Sequence, residues 1–135
     1  MASGYQKNKA RQDELSRLGK PLSRRAKSRC ELCDSAGLKL TPFEVPPMGE
    51  TPVLDRTVLI CHVCTTSLES GPVDAAHARC LTNTMWSEVP AIQVCAVRIL
   101  RQLAETGAHW ASESLESLYL SPEVEAWVNA SQLKR

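Results

Sequence analysis

Long apolar runs are missing from this chain of 135 residues: no stretch of about 18 apolar residues occurs, which excludes a transmembrane helix. The N-terminal segment is polar and basic and lacks the apolar core of an export signal, so a cytoplasmic protein with no membrane partner is expected. Aromatics are scarce, at six, and five of them (Phe43, Trp86, Trp110, Tyr119 and Trp127) lie beyond residue 33, which places the expected core in the C-terminal part. Net charge is nearly absent at +1, and no internal repeat is visible apart from two cysteine pairs.

The six cysteines are the main positive signal. Without an export signal they read as metal ligands and free thiols, not as disulfides. Cys30-Glu31-Leu32-Cys33 and Cys61-His62-Val63-Cys64 are two Cys-x-x-Cys pairs separated by 27 residues. A tight turn over two intervening residues lets two sulfurs converge on one ion, and a second such turn completes a tetrahedron. The 27-residue insert is long enough for a hairpin that returns the second turn to the first. Zn²⁺ is the expected ion, with iron the alternative for all-sulfur ligation. Such a site is closed to water, so it predicts a scaffold. Four thiolates on a divalent ion leave a formal charge of −2, which Lys27 and Arg29 are placed to offset. His62 lies inside the second pair and is expected to point away from the metal.

The small net charge hides a division. Residues 7–29 hold nine basic residues and two acids, a net of +7, so the remainder carries −6. The pattern suggests a basic arm on a mildly acidic body. It reads either as a solvated helix or as a surface for an anionic partner, nucleic acid or an acidic protein, with Arg24, Arg25, Lys27 and Arg29 the candidate nucleic-acid contacts. Against nucleic acid, residues 7–29 contain no aromatic on which a base could stack.

Along the chain, residues 7–18 suit a charged helix, which Gly19 and Pro21 are expected to stop, with a short turn at Ser23–Ser28. Asp34 follows the first pair, where a left-handed backbone is often needed. Leu38–Phe43 and Val58-Leu59-Ile60 read as strands flanking a proline-rich loop over 44–53. Thr66 with Glu69 fits a capping box, so a helix is expected just after Cys64, limited by Gly71-Pro72. Asp74 is a cap for a short helix through His77 to Leu81. Ser87 is a cap for a longer one carrying Ile92, Val94, Cys95, Val97, Ile99, Leu100 and Leu103, with Gly107 its stop. A further helical stripe runs over 110–120. Ser121-Pro122-Glu123 opens the last helix, with Val124, Trp127 and Val128 inward. His77 and Cys80 form a His-x-x-Cys pair, suited either to a thiol–imidazole nucleophile or to ordinary helix packing. Cys95 reads as core, as does Met85-Trp86, for which a recognition patch is the rival reading.

The run Arg24-Arg25-Ala26-Lys27-Ser28-Arg29-Cys30-Glu31-Leu32-Cys33 resembles the alkylphosphonate-utilisation operon protein A (PhnA) family. So do Phe43-Glu44-Val45-Pro46-Pro47, Leu59-Ile60-Cys61-His62-Val63-Cys64, and, further on, Asp74, His77, Arg79-Cys80-Leu81 and Met85-Trp86-Ser87-Glu88-Val89-Pro90-Ala91. The resemblance spans roughly residues 10–128. It implies an N-terminal zinc-binding module and a link to phosphonate metabolism, without specifying a reaction. The small C-terminal β-domain of many members is absent. A more distant likeness is to HNH endonucleases, which share a knuckle–hairpin–knuckle frame. Their catalytic histidines are missing: Phe43-Glu44-Val45 and Thr65-Thr66 stand in those places.

The expectation is a small α+β protein, a zinc ribbon or treble-clef-like knuckle–hairpin–knuckle with C-terminal helices. Residues 1–29 form a partly helical basic arm. Residues 30–135 form one zinc-stabilised domain, with the zinc module over 30–70 and the helical part over 73–130. The leading function is a non-catalytic protein- or nucleic-acid-binding accessory module. The alternative is a metallo- or Cys/His-dependent hydrolase acting on a phosphonate.

Overall fold

Val58-Leu59-Ile60 forms the centre of the strand on which the other elements are layered. In the computed structural model, which describes residues 4–69 and 72–133, β1 (Leu40–Glu44) and β2 (Thr57–Cys61) form one antiparallel hairpin. Leu40 pairs with Cys61 and Glu44 with Thr57. The first strand thus starts two residues later than its sequence pattern suggests, and Leu38 is left half-exposed.

Every residue of β2 is buried because helices cover both of its faces. On one side, Leu22 and Ala26 of α2 (Gly19–Ala26) pack on Leu59. On the other, Val58 and Ile60 join the main core with α6 (Pro90–Glu105). A two-stranded hairpin is marginal in water, and this double cover is what makes it tenable. Burial of each such aliphatic side chain contributes about 1.5–3 kcal/mol. The free edge of β2 is also closed: Glu31 N–H donates to Leu59 O at 3.0 Å and Leu59 N–H donates to Glu31 Oε1 at 2.8 Å.

The basic segment is packed against this hairpin. α1 (Gly4–Arg17) is followed at once by α2, whose first turn contains Pro21. A helix's first turn has no partner for its N–H groups, so proline costs nothing there. The expected stop at Gly19 and Pro21 is therefore a brief break, and the short turn at Ser23–Ser28 is the end of a real helix. Arg11 of α1 reaches across to β1, where Nε and Nη2 donate to both carboxylate oxygens of Glu44.

Past the hairpin, α3 (His62–Leu68) begins inside the second cysteine pair, with Cys61 at its N-cap position. The Thr66–Glu69 capping box is not used. Thr65 Oγ1 instead donates back to Cys61 O at 3.0 Å, and Glu69 ends the helix. Gly71 lies outside the described residues. Asp74 caps α4 (Ala75–Ala78) as expected, accepting from His77 N–H at 3.0 Å, but the helix breaks before α5 (Leu81–Thr84). Ser87 does not cap α6. Its Oγ accepts from Val89 N–H at 3.1 Å in a local turn, and the helix starts at Pro90.

α6 is the central helix, with eleven buried residues, from Ala91 to Leu103. Gly107, at φ +101°, takes the left-handed conformation that ends it. α7 (His109–Glu116) and α8 (Pro122–Ala130) pack on α6 through Ala111, Val124 and Val128. Tyr119 lies beyond α7 and is exposed. Ser121 caps α8 by accepting from Val124 N–H at 3.3 Å. The architecture is small α+β: a knuckle–hairpin–knuckle followed by helices.

Candidate metal centre

The register of the hairpin ends at Cys61, directly opposite Leu40, and the first knuckle is hydrogen-bonded along the outer edge of β2. These two constraints bring both Cys-x-x-Cys turns to one place. Sγ atoms of Cys30, Cys33, Cys61 and Cys64 all lie within 4.8 Å of one another. Cys30 to Cys64 is 3.7 Å, and Cys33 to Cys61 is also 3.7 Å. A tetrahedron with Zn–S bonds of about 2.3 Å has sulfur–sulfur edges of about 3.8 Å. The four sulfurs therefore enclose a space of the size that a tetrahedral divalent ion requires.

Backbone geometry completes the knuckle. Asp34, at φ 64°, adopts the left-handed turn expected of it, and its N–H donates to Cys30 O at 2.9 Å. Cys33 N–H at 3.5 Å and Cys61 N–H at 3.3 Å both donate to Cys30 Sγ. The thiol of Cys30 is pulled down to about 4, first by its hydrogen bond with Cys64 and then by these backbone donors, against the effect of burial. Cys64 is pushed up in turn, by the same hydrogen bond and by desolvation. Burial raises Cys61 as well. Without a cation, four crowded sulfurs compete for charge. A divalent ion removes that competition and lets all four act as thiolates.

Two residues near the sulfurs have roles that the spacing did not reveal. His77, half-buried on α4, puts Nε2 3.5 Å from Cys64 Sγ. Ser35 Oγ is 3.2 Å from Cys33 Sγ. Both are hydrogen-bond partners for sulfur, in addition to the backbone N–H groups. The charge offset expected of Lys27 and Arg29 takes a different form. Lys27 and Ser28 are exposed in left-handed backbone at the end of α2, and Arg29 turns to Asp34, whose carbonyl accepts from it at 3.2 Å. His62 is exposed, in keeping with a residue that faces away from the cluster.

The His-x-x-Cys pair is not arranged as a nucleophile and its base. Cys80 Sγ donates to His77 O at 3.2 Å, while the imidazole of His77 is turned to Cys64. Burial, and then the charge of Cys33, push the Cys80 thiol up, away from the thiolate that nucleophilic chemistry needs. Glu44 is held at both oxygens by Arg11. Val45 beside it is buried.

The four basic candidates for nucleic-acid contact divide into two kinds. Arg24, Lys27 and Arg29 are exposed. Arg25 is committed inward: Nε donates to Glu31 Oε2 at 2.7 Å, Nη2 to Glu31 Oε1 at 2.8 Å, and Nη2 again to Thr57 O at 2.7 Å. Glu31 is almost fully buried, and its bidentate hydrogen bonding, followed by its charge, raises the pKa of Arg25 further. Arg25 is thus a clamp between α2, the first knuckle and β2. Cys95 is fully buried in α6, and Met85 is also core, whereas Trp86 is half-exposed.

Compared with protein-family models, with curated proteins and with solved structures, the chain shows no match. Among the described residues no helix is long and apolar enough to cross a membrane.

Proposed function

We propose that this chain is a non-catalytic zinc protein whose metal ties a small hairpin to a helical body, and that it serves as an accessory module binding an anionic partner. The observation that carries this reading is the cluster of four sulfurs with 3.7 Å edges between Cys30 and Cys64 and between Cys33 and Cys61. Four thiolates fill a tetrahedral ion's coordination, so no position remains for an activated water. Structural zinc in such a site contributes directly to folding. Cys64 sits on α3, directly after the hairpin, which favours a treble-clef arrangement over a plain ribbon. Free thiols at this density suit a reducing compartment, in keeping with a cytoplasmic location.

The partner surface is the outer side of α2 and the first knuckle, where Arg24, Lys27 and Arg29 are exposed. They offer point charges to phosphate or carboxylate groups, without aromatics for base stacking. Kinship with the alkylphosphonate-utilisation operon (PhnA) proteins rests on the knuckle sequences and the Asp74–Ala91 stretch. The rival reading, a hydrolase acting on a phosphonate, needs an activated Cys80 or a free Glu44, and their present hydrogen bonds oppose both roles.

Metal content and turnover measured on one preparation test the proposal. About one zinc per chain and background hydrolysis of DNA, RNA and phosphonoacetate, with Mg²⁺ or Mn²⁺ added, are expected. Turnover that disappears in Cys80→Ala or Glu44→Gln, with the fold intact, would promote the hydrolase.

A further inference from the structure

Arg98 is 4% exposed, in the middle of α6, and no carboxylate pairs with it among the described residues. Its Nε donates to Val128 O at 3.4 Å and its Nη2 donates to Trp127 O. These carbonyls belong to the last turn of α8, where helix carbonyls have no partner within the helix. A helix C-terminus carries about half a negative charge, so it offsets part of the guanidinium charge and leaves the rest. No hydrogen bond engages Nη1 among the described residues. Desolvation lowers the pKa of Arg98, the charge of Cys95 acts the other way, and the nearby positive charge of Arg56 lowers it further.

Beside Arg98 lies a cavity of about 330 Å³. Its walls are mainly apolar: Phe43 and Pro46 from the hairpin, Leu68 from α3, Cys95 from α6, and Leu133 from the segment after α8. Glu69, which is exposed, and the polar Ser131 and Gln132 also line it. The volume lies at the lower end of the range for small-molecule sites, which combine apolar walls with a few polar groups.

We propose that this cavity is a binding site for a small carboxylate with an apolar body, its head group paired with Arg98. A buried cation is costly when its charge is only partly met, and an entering carboxylate supplies the missing counter-charge. The apolar walls match a hydrocarbon or aromatic body. A dianionic phosphate is disfavoured, because among the described residues that line the space Arg98 is the one cation. The site is independent of the metal centre and shares no residue with it.

The test uses zinc-loaded full-length protein titrated with butyrate, hexanoate and benzoate, and with the matching neutral amides and with inorganic phosphate as controls. Thermal stability and amide NMR shifts are the readouts. Saturable binding of the carboxylates is expected, with shifts centred on Phe43, Leu68, Cys95 and Leu133, and affinities at least tenfold above those of the amides and of phosphate. Arg98→Gln should weaken binding at least tenfold. Because that variant also loses the bonds to α8, Leu133→Trp provides an independent check: it fills the cavity from a half-buried position, keeps Arg98, and should abolish binding. Absence of carboxylate binding at millimolar concentration, shifts elsewhere on the surface, or undiminished binding in Leu133→Trp would each overturn the proposal and leave Arg98 as a cap for α8.

Discussion

His77 Nε2 lies 3.5 Å from Cys64 Sγ, although the two are thirteen positions apart in the sequence. The contact depends on Asp74, whose carboxylate accepts from His77 N–H and so fixes the first turn of α4. A histidine in this position covers one candidate ligand sulfur and, in its Nε2–H tautomer, donates to it. Groups that hydrogen-bond a metal's ligands typically change affinity by about 10–100-fold when removed. His77→Ala should therefore retain one metal per chain, yet lose it about 10–100-fold more readily to a competing chelator. Unchanged competition would remove His77 from the metal centre. Complete loss of metal in a folded variant would instead make it a ligand.

Arg25 and Arg24 are adjacent in the sequence and should behave differently. Arg25→Ala leaves the carboxylate of Glu31 buried without its bidentate partner, a change that typically costs about 3–5 kcal/mol. Arg24→Ala, on the exposed side, should stay within about 0.5 kcal/mol of the parent. Denaturant midpoints for the two variants decide the matter. Equal midpoints would contradict the clamp.

Cys95 gives the stability a distinct alkaline limit. Burial raises its thiol from 9.0 to about 12, so the folded state holds the proton that the unfolded state gives up. The contribution is fully present below pH 9.0 and is lost as pH rises toward about 12. Cys95→Ala should flatten this fall, as measured by thermal unfolding between pH 8 and pH 11. An unchanged slope would assign the alkaline loss to other groups.

Binding through the basic surface should be electrostatic. Arg24, Lys27 and Arg29 are exposed, so affinity for RNA, DNA or an acidic protein should fall steeply with salt and weaken in the triple Ala variant. Arg25 is left out of this variant because its loss would destabilise the fold. Binding that survives about 0.3 M salt and the triple substitution would place recognition elsewhere on the protein.

Local signals with one strong physical cause were readable from the sequence: the two Cys-x-x-Cys turns, the left-handed Asp34, the Asp74 and Ser121 caps, and Gly107 as a stop. Helix starts were less so where two rules compete. Ser87 has a capper's chemistry, but Pro90 is pre-set for the first helical position, and the helix begins there. The Thr66–Glu69 pair was overridden because α3 starts inside the second Cys-x-x-Cys turn, with Cys61 at its N-cap position. Non-local pairs were not readable at all. Arg25 with Glu31 and Thr57, Arg11 with Glu44, and His77 with Cys64 depend on how the hairpin and helices pack. Arg98 was similarly hidden in the pattern of α6, as one of several polar residues in the helix, with no sign that it turns to α8.

The most direct test of the central claim is the metal's own coordination. Elemental analysis with X-ray absorption at the metal edge, on protein purified without chelator, should find about one zinc per chain with four sulfur neighbours at about 2.3 Å and no nitrogen or oxygen neighbour in that shell. Metal-free folded protein, or a shell containing nitrogen or oxygen, would contradict the closed four-thiolate site and with it the scaffold reading.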